Sequence, residues 1–233
     1  MEFLDEFSLQ DGIALLWFLA AWLGYSLYAD RDRETGRNLM QLLAGYRLDW
    51  MRAMVRRDMR MGDLMGAGNI MRSVTFLAST TIFIIGGLIA VLGVSHKVVE
   101  TVTELPFAVP TTRAEVDMKL MILVTAFVYG FFKFTWALRQ FNYLSIFLGA
   151  APPANSDDKT VDDYAHIGAG LISLAANHLN GGIRAYYFGI AGLSWFLNPI
   201  LFMLVTAWVV AVLYLREFRS KTRQVLSGQK RIL

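Results

Sequence analysis

Four apolar segments separated by charged segments dominate the pattern of the chain. They cover residues 12–29, 74–94, 120–138 and 183–215, and each is almost free of charged side chains. A transmembrane helix needs about 20 predominantly apolar residues, and segments of this length and composition are typical of such helices. The pattern therefore predicts an all-α, polytopic helical membrane protein in which residues 1–233 form a single membrane domain.

The last apolar segment is too long for one membrane crossing. As a single helix, residues 183–215 would measure about 50 Å, against a hydrocarbon core of roughly 30 Å. Asn198 and Pro199 lie near its middle, and proline starts a helix far more easily than it continues one. We therefore predict two spans, residues 183–197 and 199–215, joined by a tight turn. The former helix is expected either to begin before the Gly181-Gly182 pair or to enter the membrane at an angle.

The distribution of basic residues predicts the orientation of these five spans. Five spans place eighteen Lys and Arg side chains on the cytosolic side and three, Lys97, Arg113 and Lys119, outside. Four spans give twelve against nine, a weaker bias. Because cytosolic loops are enriched in Lys and Arg, the count favours five spans in a bacterial inner membrane, with the N-terminus external and the C-terminus cytoplasmic.

Three segments outside the spans also carry local signals. Residues 30–72 form a predicted cytosolic helical loop with nine arginines, where Leu39, Leu43, Tyr46, Trp50 and Met54 follow the spacing of one amphipathic helix face. Thr112 and Glu115 have the spacing of a capping box, which would start the third spanning helix. Residues 152–163 are predicted to be a polar, mobile loop that precedes a helix over residues 164–180.

A stripe of arginines runs along the predicted cytosolic helix. Arg52, Arg56 and Arg60 recur at every fourth position, so they share one face and repel one another. Such a stripe needs an anionic neighbour. Anionic lipid headgroups are the favoured partner, and a protein or ligand anion is the alternative.

Composition excludes several classes of function. Apolar residues make up 55% of the chain, there is no cysteine, and the formal net charge is +3. Without cysteine there can be no disulfide, thiolate metal site, iron–sulfur cluster or cysteine nucleophile. Of the histidines, only His166 has a helical metal-ligand spacing, to Asp162, so no metal site, cofactor or enzyme activity is predicted, and no motif for nucleic-acid binding is present.

Three motifs resemble a known family. They are GAGNIMRSVTFLAST at residues 66–80, FKFTWALRQFNYLS at residues 132–145 and NGGIRAYYFGIAGLSWFLNP at residues 180–199. They resemble the membrane proteins of the domain of unknown function 599 family, found in bacteria and plants, and the resemblance covers nearly the whole chain. It implies a multi-span membrane protein and brings no activity, catalytic residue or binding residue with it.

Five basic side chains near or within the predicted spans are the candidate functional residues: Arg72, Arg139, Arg184, Arg216 and Lys133. The four arginines flank spans at the cytosolic edge, where they either extend to lipid phosphates or gather an anion into a vestibule. Lys133 lies deeper in its span. Facing an aqueous cavity it would mark a permeation pathway, and facing lipid or a neighbouring helix it would serve packing.

Two functional classes remain open. The first is a channel or carrier for a small anion, built as a homo-oligomer because five short helices enclose little volume. The second is a non-catalytic membrane scaffold or assembly factor that docks a partner through its cytosolic helix, in a region holding seven of the eleven methionines between Met40 and Met71. In both cases the expected surroundings are a bilayer with anionic headgroups.

Overall fold

The computed structural model describes residues 8–31, 39–104 and 108–228, and these residues form helices and their connections. The helices are α1 (Leu9–Arg31), α2 (Leu39–Val55), α3 (Met61–Leu92), α4 (Ser95–Thr103), α5 (Arg113–Gly149), α6 (Asp158–Leu193), α7 (Pro199–Phe218) and α8 (Lys221–Gly228), with a 3-10 turn at Ser194–Phe196. The predicted all-α fold is confirmed.

Within these described ranges, four helical segments are long and apolar enough to cross a membrane: Leu9–Asp30, Met61–Leu92, Arg113–Gly149 and Pro199–Gly228. They contain four of the five predicted spans. The fifth, residues 183–197, falls mostly at the end of α6, which is not among these segments. The five-span count and the orientation of the termini therefore stay predictions.

Several helices extend beyond the apolar residues that predict them. Helix α3 begins at Met61 rather than at residue 74, and α5 runs from Arg113 to Gly149 rather than over residues 120–138. The predicted capping box explains the early start of α5, because the Glu115 carboxylate accepts from the Thr112 backbone N–H at 2.9 Å and the Thr112 hydroxyl accepts from the Glu115 N–H at 3.2 Å.

Helix α6 corrects the prediction for residues 152–163 and 164–180. Residues from Asp158 onward are helical rather than a mobile loop, and the helix continues without a break through Gly181 and Gly182 to Leu193. The prediction that this helix begins before the glycine pair is confirmed. A glycine costs a helix only about 1 kcal/mol relative to alanine, so packing along a long helix can offset it.

The predicted turn between α6 and α7 is confirmed. Pro199 is the first residue of α7, and the Asn198 side-chain oxygen accepts a hydrogen bond from the Ile200 backbone N–H at 2.7 Å. Asparagine before the helix and proline at its first position are favoured for the same reason: the first backbone N–H groups of a helix have no partner within it.

The described residues divide into two compact units. Unit 1 comprises residues 8–31, 80–104, 108–131 and 183–216, and unit 2 comprises residues 39–79, 132–182 and 217–228. Helices α3, α5 and α6 each contribute residues to both.

The core of unit 1 is aromatic and brings α1, α6 and α7 together. Phe18 of α1 lies edge-on to Phe188 of α6 at 5.8 Å and packs against Phe202 of α7 at 5.2 Å. Trp195 stacks on Phe202 at 4.7 Å. Because these helices pack together, the polar ends of α1 and α7 lie beside the same stretch of α6. The candidate site is formed there.

The core of unit 2 packs α2 against α6. Met51, Met54 and Val55 of α2 are fully buried. Gly168 of α6 has no side chain, and a Cβ there would lie 2.6 Å from the Met51 sulfur. The predicted amphipathic helix over residues 39–54 is thereby confirmed as a helix, with its apolar residues packed within this unit.

Candidate anion-binding site

The strongest candidate site lies in unit 1 and consists of Asp30, Arg184, Tyr187 and Arg216, which we call the polar cluster. Arg184 of α6 donates through Nη2 to Oδ1 of Asp30, near the end of α1, at 2.8 Å. Only 9% of the Arg184 side chain is exposed, against 49% of the Asp30 side chain. The ion pair therefore has a buried cationic end and an open carboxylate end.

Arg184 also has buried hydrogen-bond donors that lack an acceptor. Its Nε and Nη1 atoms are shielded from solvent, and neither has a hydrogen-bond partner among the described residues. Together they carry three N–H bonds. Leaving such donors buried and unpaired is costly, and an unpaired group of this kind in a folded protein commonly indicates a bound water or ion.

Arg216 is held beside the same stretch of α6. Its Nη1 donates to the Tyr187 hydroxyl at 2.9 Å, and its guanidinium carbon lies 6.0 Å from the centre of the tyrosine ring. Tyr187 follows Arg184 by three residues, so both project from one face of α6. Two guanidinium groups and one carboxylate leave the polar cluster with one positive charge in excess.

The other two predicted arginines lie in unit 2, each bonded within its own helix. Arg72 is exposed and contacts the side-chain oxygen of Asn69. Arg139 donates from Nε to the Tyr143 hydroxyl at 2.6 Å and lies over the ring of Trp136, 5.7 Å from its centre. The structure thus places Arg184 and Tyr187, the partner of Arg216, on one face of α6, and it gives Arg72 and Arg139 separate local partners.

Lys133 lies against a neighbouring helix. Its Cδ and Cε atoms would be 3.3 and 3.4 Å from a Cβ added at Gly181 of α6. Contact with a neighbouring helix is the arrangement expected for a packing role, and the aliphatic part of Lys133 fills the space that Gly181 leaves. A role for Lys133 in permeation stays a prediction.

The arginine stripe finds carboxylates of its own chain. Arg52 pairs with Asp162 of α6, with Nε to Oδ1 at 2.7 Å, and Arg56 pairs with Asp158 of the same helix. Arg60 donates from Nη1 to the backbone carbonyl of Ala151 at 2.8 Å. Two of the three arginines of the stripe therefore have a carboxylate partner within unit 2. Contact with headgroups stays a prediction.

Arg47 is a half-buried arginine that the sequence analysis missed. Its Nη1 donates to the Ser173 hydroxyl of α6 at 3.3 Å. Burial lowers the pKa of its guanidinium below the usual arginine value. The sequence offers one signal for this position: Arg47 follows Leu43 by four residues and so shares the apolar face of α2.

Unit 1 contains a second buried ion pair, which the sequence analysis also missed. Lys119 of α5 lies 3.1 Å from Asp11 of α1, and both side chains are at most 6% exposed. Trp195 donates from its indole N–H to the same Asp11 carboxylate oxygen at 2.5 Å. The Trp195 ring is itself buried in the core.

The described part of the chain is all-helical, has four helices long and apolar enough to cross a membrane, as in a multi-pass membrane protein, and carries a partly buried basic cluster in unit 1. The chain belongs to the family described as "Protein of unknown function, DUF599", whose model matches residues 13–222. The predicted family resemblance is thus confirmed over most of the chain. No curated protein and no solved structure gives a match.

Proposed function

We propose that the protein is a non-enzymatic channel or carrier for a small anion, assembled as a homo-oligomer in the bacterial inner membrane. One observation carries the proposal: a buried arginine, Arg184, has N–H donors on two nitrogens without an acceptor in the described chain. Buried guanidinium groups that keep unfilled donors are suited to attract and hold an anion where water is scarce.

The polar cluster adds electrostatic support. Its excess positive charge lies partly shielded from water, where charge interactions are stronger than in bulk solvent. Arg216, which is exposed, would attract the anion, and Arg184, which is buried, would bind it. A single small chain encloses little volume, so a continuous path is expected to need several copies.

A flux assay on reconstituted protein tests the proposal. Liposomes of neutral lipid loaded with sodium nitrate should release nitrate faster when they contain the protein, and Arg184→Gln should return the rate to that of protein-free liposomes. Arg113→Gln is the matched control, because it removes an equal charge from an exposed position of α5 in unit 1. Wild-type proteoliposomes that release nitrate and chloride no faster than empty ones would rule out the proposal.

A second candidate, a membrane scaffold, is favoured by one surface feature of unit 2. Met59, Met61 and Met65 are 81%, 63% and 62% exposed. Flexible thioether side chains suit adaptable protein contacts. A photo-crosslinking amino acid at Met61 should then link to another polypeptide in intact cells, whereas the same probe at exposed Lys97 should not. Equal crosslinking at both positions would remove this candidate.

A further inference from the structure

We infer that the polar cluster binds one monovalent oxyanion of the carboxylate or nitrate type, and that Asp30 sets this choice of charge. The inference rests on the proposed function, because it names the class of anion that the site would carry. It also makes a claim about equilibrium binding that holds whether or not the anion crosses the membrane.

The charge balance of the polar cluster favours a monovalent anion. Arg184 and Arg216 contribute two positive charges, and Asp30, paired with Arg184 at 2.8 Å, neutralises one of them. One bound monovalent anion completes the neutralisation. A divalent anion would leave a net negative charge in a site where Arg184 is buried, and charge left over in a low-dielectric site is strongly unfavourable.

The directions of the Arg184 donors favour an oxyanion over a halide. The N–H bonds of a guanidinium group point outward along fixed, diverging directions. The Nε and Nη1 donors of Arg184 therefore cannot all converge on a single-atom halide. An anion with two or three oxygens can accept from one Arg184 nitrogen through one oxygen and from a neighbouring donor through another, and its hydrogen bonds to the guanidinium are charge-assisted and therefore strong.

Tyr187 supplies a further donor on the same face of α6. Its hydroxyl oxygen accepts from Arg216, so its own O–H hydrogen can be donated to another acceptor. A hydroxyl donor that contacts one guanidinium group, and that belongs to a residue three positions from Arg184 on α6, again suits an oxygen-bearing ligand.

Asp30 controls the charge selectivity in this account. Its carboxylate is about half exposed and is the solvent-accessible member of the ion pair with Arg184. Replacing it therefore changes the charge of the cluster without opening a cavity in the core. Asp30→Asn keeps the size of the side chain and raises the net charge of the cluster by one. The variant should then accept a divalent oxyanion.

The test is isothermal titration of the full chain in nanodiscs of neutral lipid with sodium formate, nitrate, chloride and sulfate. Formate and nitrate should bind wild-type protein at least about tenfold more tightly than chloride or sulfate, equivalent to about 1.4 kcal/mol. Arg184→Gln and Arg216→Gln should each weaken formate binding by about tenfold or more. Arg113→Gln should leave it unchanged.

Asp30→Asn gives the sharper result and does not require the loss of any binding residue. It should increase sulfate affinity by about tenfold while formate still binds. If Arg184→Gln does not fold, Arg184→Lys, which keeps the charge but loses the diverging donors, should favour chloride relative to formate. Equal affinities for chloride and formate in wild type, or no gain of sulfate binding in Asp30→Asn, would overturn the inference.

An anionic lipid phosphodiester presents the same chemistry as a soluble oxyanion, and lipid composition separates the two. We expect equal formate affinity in neutral nanodiscs and in nanodiscs containing phosphatidylglycerol. If formate binding is lost only in the nanodiscs that contain phosphatidylglycerol, the site binds a lipid headgroup and the inference of a soluble ligand is overturned. Selective formate binding without nitrate flux would refute transport and leave the inferred oxyanion site standing. Flux of chloride with no preference for oxyanions would instead support transport and refute the inferred oxyanion site.

Discussion

Of the two ion pairs described in unit 1, the pair of Lys119 and Asp11 is more enclosed than the pair of Arg184 and Asp30. Both members of the former pair are nearly inaccessible, and Trp195 adds an indole hydrogen bond to the shared carboxylate. The ammonium group also lies 5.6 Å from the centre of the Trp195 ring, within the range of a cation–π contact. Three segments far apart in sequence are thereby joined at one point.

Lys119→Met should destabilise the protein markedly. The substitution preserves most of the side-chain volume but leaves the Asp11 carboxylate buried without its counter-ion, which typically costs about 3–5 kcal/mol. Thermal unfolding of the detergent-solubilised protein measures the effect, and exposed Lys97→Met serves as the control. The double variant Lys119→Met with Asp11→Asn should recover part of the loss, and a single variant as stable as Lys97→Met would contradict the assigned pair.

At the residue scale, the sequence identified Arg184 as a candidate but not its partner. Charge spacing reveals neighbours three or four positions away on a helix. Asp30 lies 154 positions from Arg184, and Asp162 lies 110 positions from Arg52. Only the packing of α1 and of α2 against α6 brings these carboxylates to their arginines. From the sequence we could therefore predict that the arginines need anionic partners but not which residues those partners are.

At the element scale, α6 shows why glycine in a helix need not break it. A Cβ at Gly189 would lie 2.8 Å from the Phe127 ring of α5, and one at Gly192 would lie 2.4 Å from Leu123. In unit 2, a Cβ at Gly182 would lie 2.5 Å from Phe134. The glycines of α6 therefore admit side chains of α5, as small residues do where membrane helices approach closely.

Gly189→Ala should weaken this packing. The added methyl group would force the Phe127 ring to move, and overpacking of this kind costs about 1–3 kcal/mol. Gly86→Ala in α3 is the control, since no atom lies within 4 Å of its added Cβ and alanine is the better helix former. Thermal unfolding should show a loss for Gly189→Ala and no loss for Gly86→Ala. Equal stability of the two would contradict the close contact.

The start of α6 depends on a carboxylate and should therefore respond to pH. Asp157 accepts from the Thr160 hydroxyl at 2.6 Å and from the Thr160 backbone N–H at 2.9 Å. These bonds, the hydroxyl bond first, lower the pKa of Asp157 below its ordinary value. Because the pKa of Asp157 is lower in the folded protein than in the unfolded chain, its ionised carboxylate stabilises the folded state. This stabilisation is complete above the ordinary carboxyl pKa and is lost as the pH falls through the lowered pKa of the folded protein.

Amide hydrogen exchange measures this cap. Protection of the Thr160 N–H, corrected for the intrinsic exchange rate, should fall as Asp157 becomes protonated at acidic pH. Asp157→Asn keeps an acceptor that does not titrate, so its protection should be independent of pH in that range, and Asp157→Ala should lower protection throughout. The same acidic loss of protection in Asp157→Asn would show that another group is responsible.

Helix existence was more predictable than helix length. The apolar segments, the Thr112–Glu115 capping box and Pro199 each carry a local signal, and each gave a correct helix or helix start. The extensions of α3 to Met61 and of α5 to Gly149 lie beyond the apolar residues, where hydropathy gives no signal. The Asp157 cap was missed because the polar residues around it are also typical of a loop.

At the scale of the whole molecule, the number of crossings is the open structural prediction. The chain contains no cysteine, so single cysteines at Gln10, Asn198 and Gly228 can each report sidedness. Five spans require an impermeant maleimide to label Gln10 and Asn198 in intact cells but not Gly228. Labelling of Gly228 without Asn198 would establish four spans instead. Labelling in permeabilised cells controls for reactivity at each site.

Restoring charge at position 184 is the most direct test of the central claim, that a positive charge there carries anions across the membrane. Arg184→Cys proteoliposomes should lose nitrate flux. Modification with an aminoethyl methanethiosulfonate, which adds an ammonium group with N–H donors, should restore it, whereas the sulfonate reagent, with the opposite charge, should not. Mass spectrometry confirms that both reagents have reacted. Nitrate flux that is unaffected by the cysteine substitution, or that responds equally to both reagents, would contradict the claim.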